Sequence, residues 1–326
     1  MREMTMIQAI HEAMKMALES DDRVMVLGED VGKNGGVFRA TEGLQAHFGP
    51  DRVVDTPLAE SAIVGAAVGL AVAGMRPIAE IQFLGFIYEA MDQIAGQAAR
   101  IRFRSGGQYS APIVIRAPFG GGVRTPELHS DSLEALFLHT PGLKVVMPSN
   151  PRDAKGLLLA AVRDPDPVLY LEPLKLYRAF RGEVPEQWYE VPIGRAQVVI
   201  PGQDVTVIAW GPTVPVAVRA ARSAQEAWGH SCEVIDLRTI APMDTETLVA
   251  SVEKTGRVVV VHEAVRSGGV GAEVAARLAE SAFLSLAAPM VRVTGYDTPY
   301  PPPAIEDAWL PSVDRVVEAI HRVAAF

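Results

Sequence analysis

Short apolar strands alternating with amphipathic helices predict an α/β fold for this chain, and two observations make it a two-domain one. The alternation runs from Arg23 to Leu171, gives way to a proline-bearing, charge-scattered stretch at 173–192, and restarts at Asp204. The chain also has 326 residues, 49% of them hydrophobic, more than a usual single domain needs. Each half reads as a mostly parallel sheet covered by helices on both faces, divided as 1–185 and 186–326.

The elements follow in order. Met6, Ile10, Met14 and Ala17 repeat at helical spacing, and Thr5 with Gln8 forms a capping box, so Thr5 to Ser20 is a helix. Arg23 to Leu27 is a short buried strand, closed by a turn at Gly28-Glu29-Asp30, and Gly32 to Gly43 is a loop. A helix opens at Glu60 and ends near Gly74. Pro77 to Phe83 is a strand. One continuous helix is expected from Ile87 to Phe103, with Met91, Ile94, Ala98 and Ile101 as its apolar face. Pro112 to Arg116 is a strand and Gly120 to Glu127 a loop, after which Asp131 with Glu134 caps the next helix. Lys144 to Met147 is a strand. Asn150 and Pro151 open a helix as capping residue and first-turn proline, and Val168 to Leu171 is the last strand of this half. In the second half, strands at 204–210, 232–237, 257–262 and 290–294 alternate with helices at 214–228, 245–253 and 271–281. No convincing repeat links the halves.

Composition excludes some functions. A net charge of -9 argues against a nucleic-acid surface. The single cysteine, Cys232, forms no internal disulfide, fits a reducing compartment, and lies in a strand as a buried thiol. No apolar run approaches the ~20 residues of a membrane span, and residues 1–20 lack a signal-peptide core. A cytoplasmic protein with no membrane role is expected.

The most informative stretch is Glu60-Ser-Ala-Ile-Val-Gly65-Ala-Ala-Val-Gly69-Leu70. It puts a carboxylate at the mouth of a helix made of small and apolar residues, with Gly65 and Gly69 on one face for close backbone approach. A carboxyl held at such an interface without a cation keeps its proton nearer neutral pH. Equally, Glu60 is a common first-turn acid favouring the helix N-terminus, with the glycines only packing. Asp55 to Glu60, Glu80 to Phe83, Arg104 to Gly107, Leu128 to Ser130, Pro141 to Val146, Asp153 to Leu158 and Ile235 to Thr239 add a second kind of information. Together with the Glu60 run they resemble, in order and from about Met4 to the C-terminus, the beta subunit of the thiamine-diphosphate-dependent 2-oxoacid dehydrogenase decarboxylase component.

That resemblance implies a pyrimidine-binding domain followed by a transketolase C-terminal-like domain. It implies that Glu60 is the acid that activates thiamine diphosphate, and that Leu58, Gln82 and Phe86 line the pyrimidine. Glu29 and Glu89 match acids of a buried tunnel between paired active sites, where neighbouring carboxyls titrate together; taken alone they are a turn residue and a surface helix residue. His129 matches a histidine that assists acyl transfer to lipoamide. At a helix start it would be held neutral; a lone loop histidine is usually exposed and idle. His139 and His262 are read as structural. A structural potassium ion is implied on the backbone carbonyls of Ile113, Ala161, Val162, Asp164 and Asp166. No Gly-Asp-Gly motif for magnesium and diphosphate is present, so an alpha subunit is expected to hold both, in an α2β2 heterotetramer with the Glu60 helix at its centre. The C-terminal domain, with the carboxylate of Phe326, is expected to meet the lipoyl-bearing dihydrolipoyl acyltransferase component.

Gly120 to Glu134 favours pyruvate as the 2-oxoacid substrate. Ala209-Trp210-Gly211 and Gly295 to Pro299 lean toward branched-chain 2-oxoacids, and an acetoin enzyme is a further alternative. Gly120 to Val123 and Gly268 to Gly271 are weak anion-loop candidates. Two readings of other classes are a nucleotide-binding flavoprotein or oxidoreductase subunit and a non-catalytic assembly subunit. The first lacks the glycine fingerprint after the first strand.

Overall fold

A computed structural model describes all residues, Met1–Phe326, and divides into two compact units. The first comprises Met1–Phe119 and Leu136–Ile193; the second comprises Gly120–Ala135 and Gly194–Phe326. The halves expected from sequence, 1–185 and 186–326, place Gly120–Ala135 with the first half, whereas its contacts group it with the second.

The first unit begins with strand β1 (Arg2–Met4) and helix α1 (Met6–Ser20). Gln8 Oε1 accepts the Thr5 backbone N–H at 3.0 Å, the half of the capping box that fixes where α1 starts. Strand β2 (Val24–Gly28), helix α2 (Leu44–Phe48), strand β3 (Val53–Asp55), helix α3 (Glu60–Val72) and strand β4 (Arg76–Glu80) follow. After a broken helical stretch come α4 (Ile101–Arg104), β5 (Val114–Phe119), α5 (Glu134–Leu138) and β6 (Lys144–Val146). The unit ends with α6 (Pro151–Arg163), β7 (Val168–Pro173) and β8 (Gly182–Val184). Asn150 Oδ1 caps α6 by accepting the Asp153 N–H at 2.9 Å. Its sheet strands run in the order β6-β7-β5-β4-β2-β3, all parallel. A separate antiparallel pair, β1 with β8, ties the start of the chain to the segment after β7. Helix α1 packs on α6, and Ile10, Met14, Leu157 and Leu158 are fully buried there, each worth about 1.5–3 kcal/mol of burial.

The helix expected over 87–103 is not continuous. Leu84–Ala90 is 3₁₀, Asp92–Ala98 is π-helical, and only Ile101–Arg104 is α. Gly85 and Gly96 weaken the helix from within. Arg104 Nη2 then takes the Gly96 carbonyl at 2.7 Å, drawing it out of the regular ladder. Of the expected apolar face, Ile94 and Ala98 are buried and Met91 and Ile101 only partly so.

In the second unit, strands β9 (Gln197–Ile200), β10 (Val205–Ala209) and β11 (Cys232–Asp236) precede a short strand β12 (Thr239–Ala241). Strands β13 (Val258–Val265) and β14 (Val291–Gly295) complete a sheet ordered β14-β13-β10-β11-β9. Only β9 is antiparallel. Helices α7 (Val214–Trp228), α8 (Thr245–Thr255), α9 (Val270–Ser281), α10 (Glu306–Trp309) and α11 (Val313–Ala324) cover it. Cys232 is buried, and burial followed by the Asp204 charge pushes its thiol up to about 12, which removes it from thiolate chemistry.

His262 lies wholly inside this unit. Its ring stacks on Trp210 at 5.2 Å, and a Cβ on Gly269 or Gly271 would come within 2.8 or 2.6 Å of it. Burial, with the Arg292 charge added, holds the imidazole down to about 3, against an ordinary 6.5. The depressed value makes the native state refuse a proton that the unfolded chain accepts. Its contribution is therefore complete above pH 6.5 and is lost as pH falls toward about 3, at up to about 1.4 kcal/mol per pH unit. His262→Phe is expected to flatten the fall of melting temperature below pH 6.5. Parallel acid slopes for the variant and the parent would count against this.

Candidate active site

Strand β2 is followed by β3 on one side and β4 on the other, so the chain changes direction at the carboxyl ends of β2 and β4. Open parallel sheets bind ligands at such switch points. Gly28, the last residue of β2, is paired with Asp55 in β3 and Glu80 in β4. Immediately beyond these three positions come Glu29, the Thr56–Glu60 segment, and Gln82 with Phe86. Topology thus brings together five of the residues singled out in the sequence: Glu29, Leu58, Glu60, Gln82 and Phe86.

Local bonds fix the arrangement. The Thr56 N–H donates to the Gly28 carbonyl at 2.9 Å, and the Asp55 carboxylate accepts from Gly32 N at 2.6 Å and Lys33 N at 3.0 Å. Asp30 takes the left-handed conformation at φ 57°, turning the chain just after Glu29. A Cβ on Gly28 would meet the Glu80 carbonyl at 2.9 Å, so only glycine lets β2 close on β4 here. Glu60 is the first residue of α3 and is 8% exposed. Glu29 is half-buried; burial, then the charges of Asp30 and Glu60, raises its pKa. Glu29 and Glu60 are therefore electrostatic neighbours.

Beside these acids, Leu58 is 69% exposed, and Gln82 and Phe86 are half-buried. Phe86 packs edge-on against Phe83 at 6.1 Å. A buried carboxyl next to open apolar side chains fits a flat nitrogen heterocycle, which stacks on the apolar groups and shares a proton with the acid. Glu89 is exposed on the 3₁₀ stretch; a second surface has to cover it before it joins any dry tunnel. Helix α3 carries Ala62, Ala66, Gly69, Val72 and Ala73 exposed along its length, and a Cβ on Gly69 would meet nothing within 4 Å. An uncovered apolar strip of small residues suits a backbone-close interface.

Sequence reasoning missed the support beneath the site. Arg116 is fully buried in β5. It donates to Glu80 Oε2 at 2.6 Å and, bidentately, to Glu172 at 2.6 and 2.9 Å, while Tyr177 donates to Glu172 at 2.5 Å. Burial alone would lower the Arg116 pKa, but the two carboxylates outweigh it and hold the guanidinium charged. The group braces the carboxyl ends of β4, β5 and β7, two residues from Gln82. An arginine closing an otherwise apolar strand was the available signal.

His129 is not at an α-helix start, contrary to the sequence expectation. It ends a 3₁₀ turn, Glu127–His129, and α5 begins only at Glu134. Ser130 is drawn away from capping by a 2.7 Å bond to Thr125 Oγ1, and Asp131 precedes the helix by three residues. Helix polarity therefore does not set the state of His129.

The carbonyls expected to hold potassium come from the last turn of α6, the residues after it, and the residue before β5. Val162 O and Asp164 O converge on Arg76 Nη1 at 2.7 and 3.5 Å. Ile113 O accepts from Val168 N at 2.9 Å and Ala161 O from Asp164 N at 3.2 Å. Four of the expected oxygens thus already accept hydrogen bonds, two of them from the Arg76 guanidinium. No helix is long and apolar enough to cross a membrane.

Two family models match the chain in succession, the first including the Gly120–Ala135 segment that contacts group with the second unit. The transketolase pyrimidine-binding domain matches residues 2–179, and the transketolase C-terminal domain matches residues 194–316. A split-gene transketolase, solved as an inactive beta4 tetramer, superposes with a TM-score of 0.79 at 25% identity, over 99% of this chain and 98% of that one. The transketolase of Leishmania mexicana shares the fold, with a TM-score of 0.71 at 17% identity over 46% of its length. The pyruvate dehydrogenase E1 component subunit beta of Staphylococcus epidermidis is 59% identical, and that of Staphylococcus aureus 57% identical, each over the full length of both chains. With its acids gathered at the switch point of a transketolase-type pyrimidine domain, the chain belongs to the beta-subunit family of the pyruvate dehydrogenase E1 component.

Proposed function

We propose that this chain is the beta subunit of a pyruvate dehydrogenase decarboxylase component, active with an alpha subunit in an α2β2 heterotetramer. The observation that carries the reading is the buried Glu60 beside Glu29 at the sheet's switch point, with Leu58 exposed and Phe86 half-buried. Thiamine diphosphate, when bound, supplies the electron sink for loss of carbon dioxide from the 2-oxoacid. Glu60 shares a proton with the pyrimidine ring nitrogen and so controls its protonation. Leu58 and Phe86 hold the ring's faces, and Gln82 orients its edge. Glu29, with its raised pKa, passes protons to and from Glu60, and Glu89 extends that path once a partner covers it. His129 donates a proton to the lipoamide sulfur that leaves as the S–S bond breaks, while the other sulfur takes the acyl group on the dihydrolipoyl acyltransferase component.

No group of three or more His, Cys, Asp or Glu side chains in this chain is arranged to hold a metal; magnesium and the diphosphate are assigned to the alpha subunit. Potassium is assigned to the carbonyls of Ile113, Ala161, Val162, Asp164 and Asp166. The exposed strip of α3 is the contact at the tetramer centre, and the C-terminal unit, including Phe326, meets the acyltransferase. A cytoplasmic location accords with this chemistry.

Pyruvate is preferred to branched-chain 2-oxoacids because the relatives at 57–59% identity are pyruvate dehydrogenase subunits. Trp210 is buried in a stack with His262, and a Cβ on Gly295 would meet Trp309 at 2.4 Å. Those two positions therefore have a packing role, while Tyr296 to Pro299 are exposed. The test is 2-oxoacid turnover by the chain co-expressed with its alpha partner, with thiamine diphosphate and magnesium, in potassium or in sodium. A higher kcat/KM for pyruvate and a higher melting temperature in potassium are expected. A branched-chain preference would refute the substrate, and equal melting in both salts would refute the potassium site.

A further inference from the structure

We propose that Glu263 and Glu306 are positioning residues that latch the Gly120–Ala135 loop to the C-terminal unit and thereby set the place of His129 for acyl transfer. The proposal rests on the role given above to His129.

The loop is gripped at both ends. At its start, Glu263 Oε1 accepts the Gly121 N–H at 2.5 Å, and Glu306 Oε1 accepts those of Gly122 at 2.9 Å and Arg124 at 3.2 Å. Tyr300 donates its hydroxyl to Glu306 at 2.7 Å and accepts from Gly122 N at 3.3 Å. Arg124 reaches the Asp307 carboxylate at 2.6 Å and the Pro303 carbonyl. At the far end, Ser132 Oγ donates to the same Glu263 oxygen at 3.2 Å, and Trp210 Nε1 donates to Glu134 at 3.2 Å. His129 lies between the two grips, on a turn closed by its own N–H to Pro126 O and by the Thr125–Ser130 bond.

Three features mark this as a built device rather than casual contact. Glu263 and Glu306 are 5% and 1% exposed, and Oε1 of each accepts loop amides, beside the Ser132 hydroxyl for Glu263 and the Tyr300 hydroxyl for Glu306; such charge-assisted bonds are among the stronger ones. A Cβ on Gly121 would lie 1.7 Å from the Tyr300 hydroxyl, so the backbone passes directly against the latch. Arg124, not a glycine, is held at φ 59°, a conformation that persists only where surroundings over-determine it.

The test uses the assembled enzyme with its alpha subunit and separates two activities. Pyruvate decarboxylation is read with an artificial electron acceptor, and reductive acylation with an isolated lipoyl domain. Amide exchange at Gly121, Gly122 and Arg124 reports the latch itself. Glu306→Ala is expected to speed that exchange and to lower the ratio of acylation to decarboxylation by about tenfold to a hundredfold, the scale of a small misplacement of a reacting group. Glu306→Gln, which keeps an acceptor oxygen, is expected to recover most of the ratio. Ser132→Ala, a milder change suited to the case in which Glu306→Ala does not assemble, is expected to lower it in the same direction by less. An unchanged ratio in Glu306→Ala, or in Ser132→Ala where that is the variant measured, overturns the latch if His129→Ala lowers it. An unchanged ratio in His129→Ala overturns the role of His129 and the latch's purpose with it.

Discussion

Glu60→Gln is expected to lower 2-oxoacid turnover by about 10²–10⁴-fold, the usual worth of a positioned proton-transfer group, while the subunits still assemble. The amide has nearly the shape of the carboxyl, and the backbone bonds that begin α3, such as Ile63 N to Ala59 O at 2.9 Å, do not depend on the side chain. Helix α3 and its exposed strip therefore survive the change. What is lost is the ability to share a proton with a ring nitrogen, since an amide donates or accepts but does not exchange roles. The measurement is kcat on the assembled enzyme, with assembly checked by size. A turnover near that of the parent, in an intact tetramer, would remove Glu60 from the chemistry.

Arg116→Leu is expected to be the most destabilising single change near the site. It leaves Glu80 and Glu172, 5% and 0% exposed, without their cation, and stranding a buried charge costs about 3–5 kcal/mol. The charged Arg116 is itself held by those two carboxylates, so the damage is mutual. Removing all three charges together, as Arg116→Leu with Glu80→Gln and Glu172→Gln, is expected to recover much of the stability. Melting temperature and soluble yield of the single and triple variants decide this. A single variant as stable as the parent would mean that the triad is not the brace for β4, β5 and β7.

Most strands and helices were legible because their signals are local, but β1, β3, β8 and β12 were not. Apolar runs of strand length, the Gln8 bond to Thr5 and the Asn150 cap all act within a few residues. The break at 84–104 was not legible. The apolar period continues through it, and the carbonyl that leaves the ladder is taken by Arg104, eight residues on. The start of α5 was misplaced because Asp131 was read as its cap, whereas the helix begins only at Glu134, three residues on. Helix α11 and strand β9 also went unassigned, although Ser312 caps α11 by accepting Arg315 N at 3.2 Å.

The site divides in the same way. Glu60, Leu58, Gln82 and Phe86 were singled out through an ordered set of motifs, and the parallel order around β2 explains why they gather. The Arg116 triad and the carboxylates at 263 and 306 were not found. Their partners lie 36 to 184 residues away in sequence, and no spacing rule links such positions before the fold does.

The central claim is that this chain supplies the proton-controlling half of a thiamine-diphosphate site completed by an alpha subunit. Calorimetric binding of thiamine diphosphate with magnesium to this chain alone, to the alpha subunit alone, and to both together tests it most directly. The account predicts saturable binding and pyruvate turnover only for the pair, with turnover abolished by Glu60→Ala in this chain. Binding and turnover by this chain alone, or turnover by the pair that survives Glu60→Ala, would contradict it.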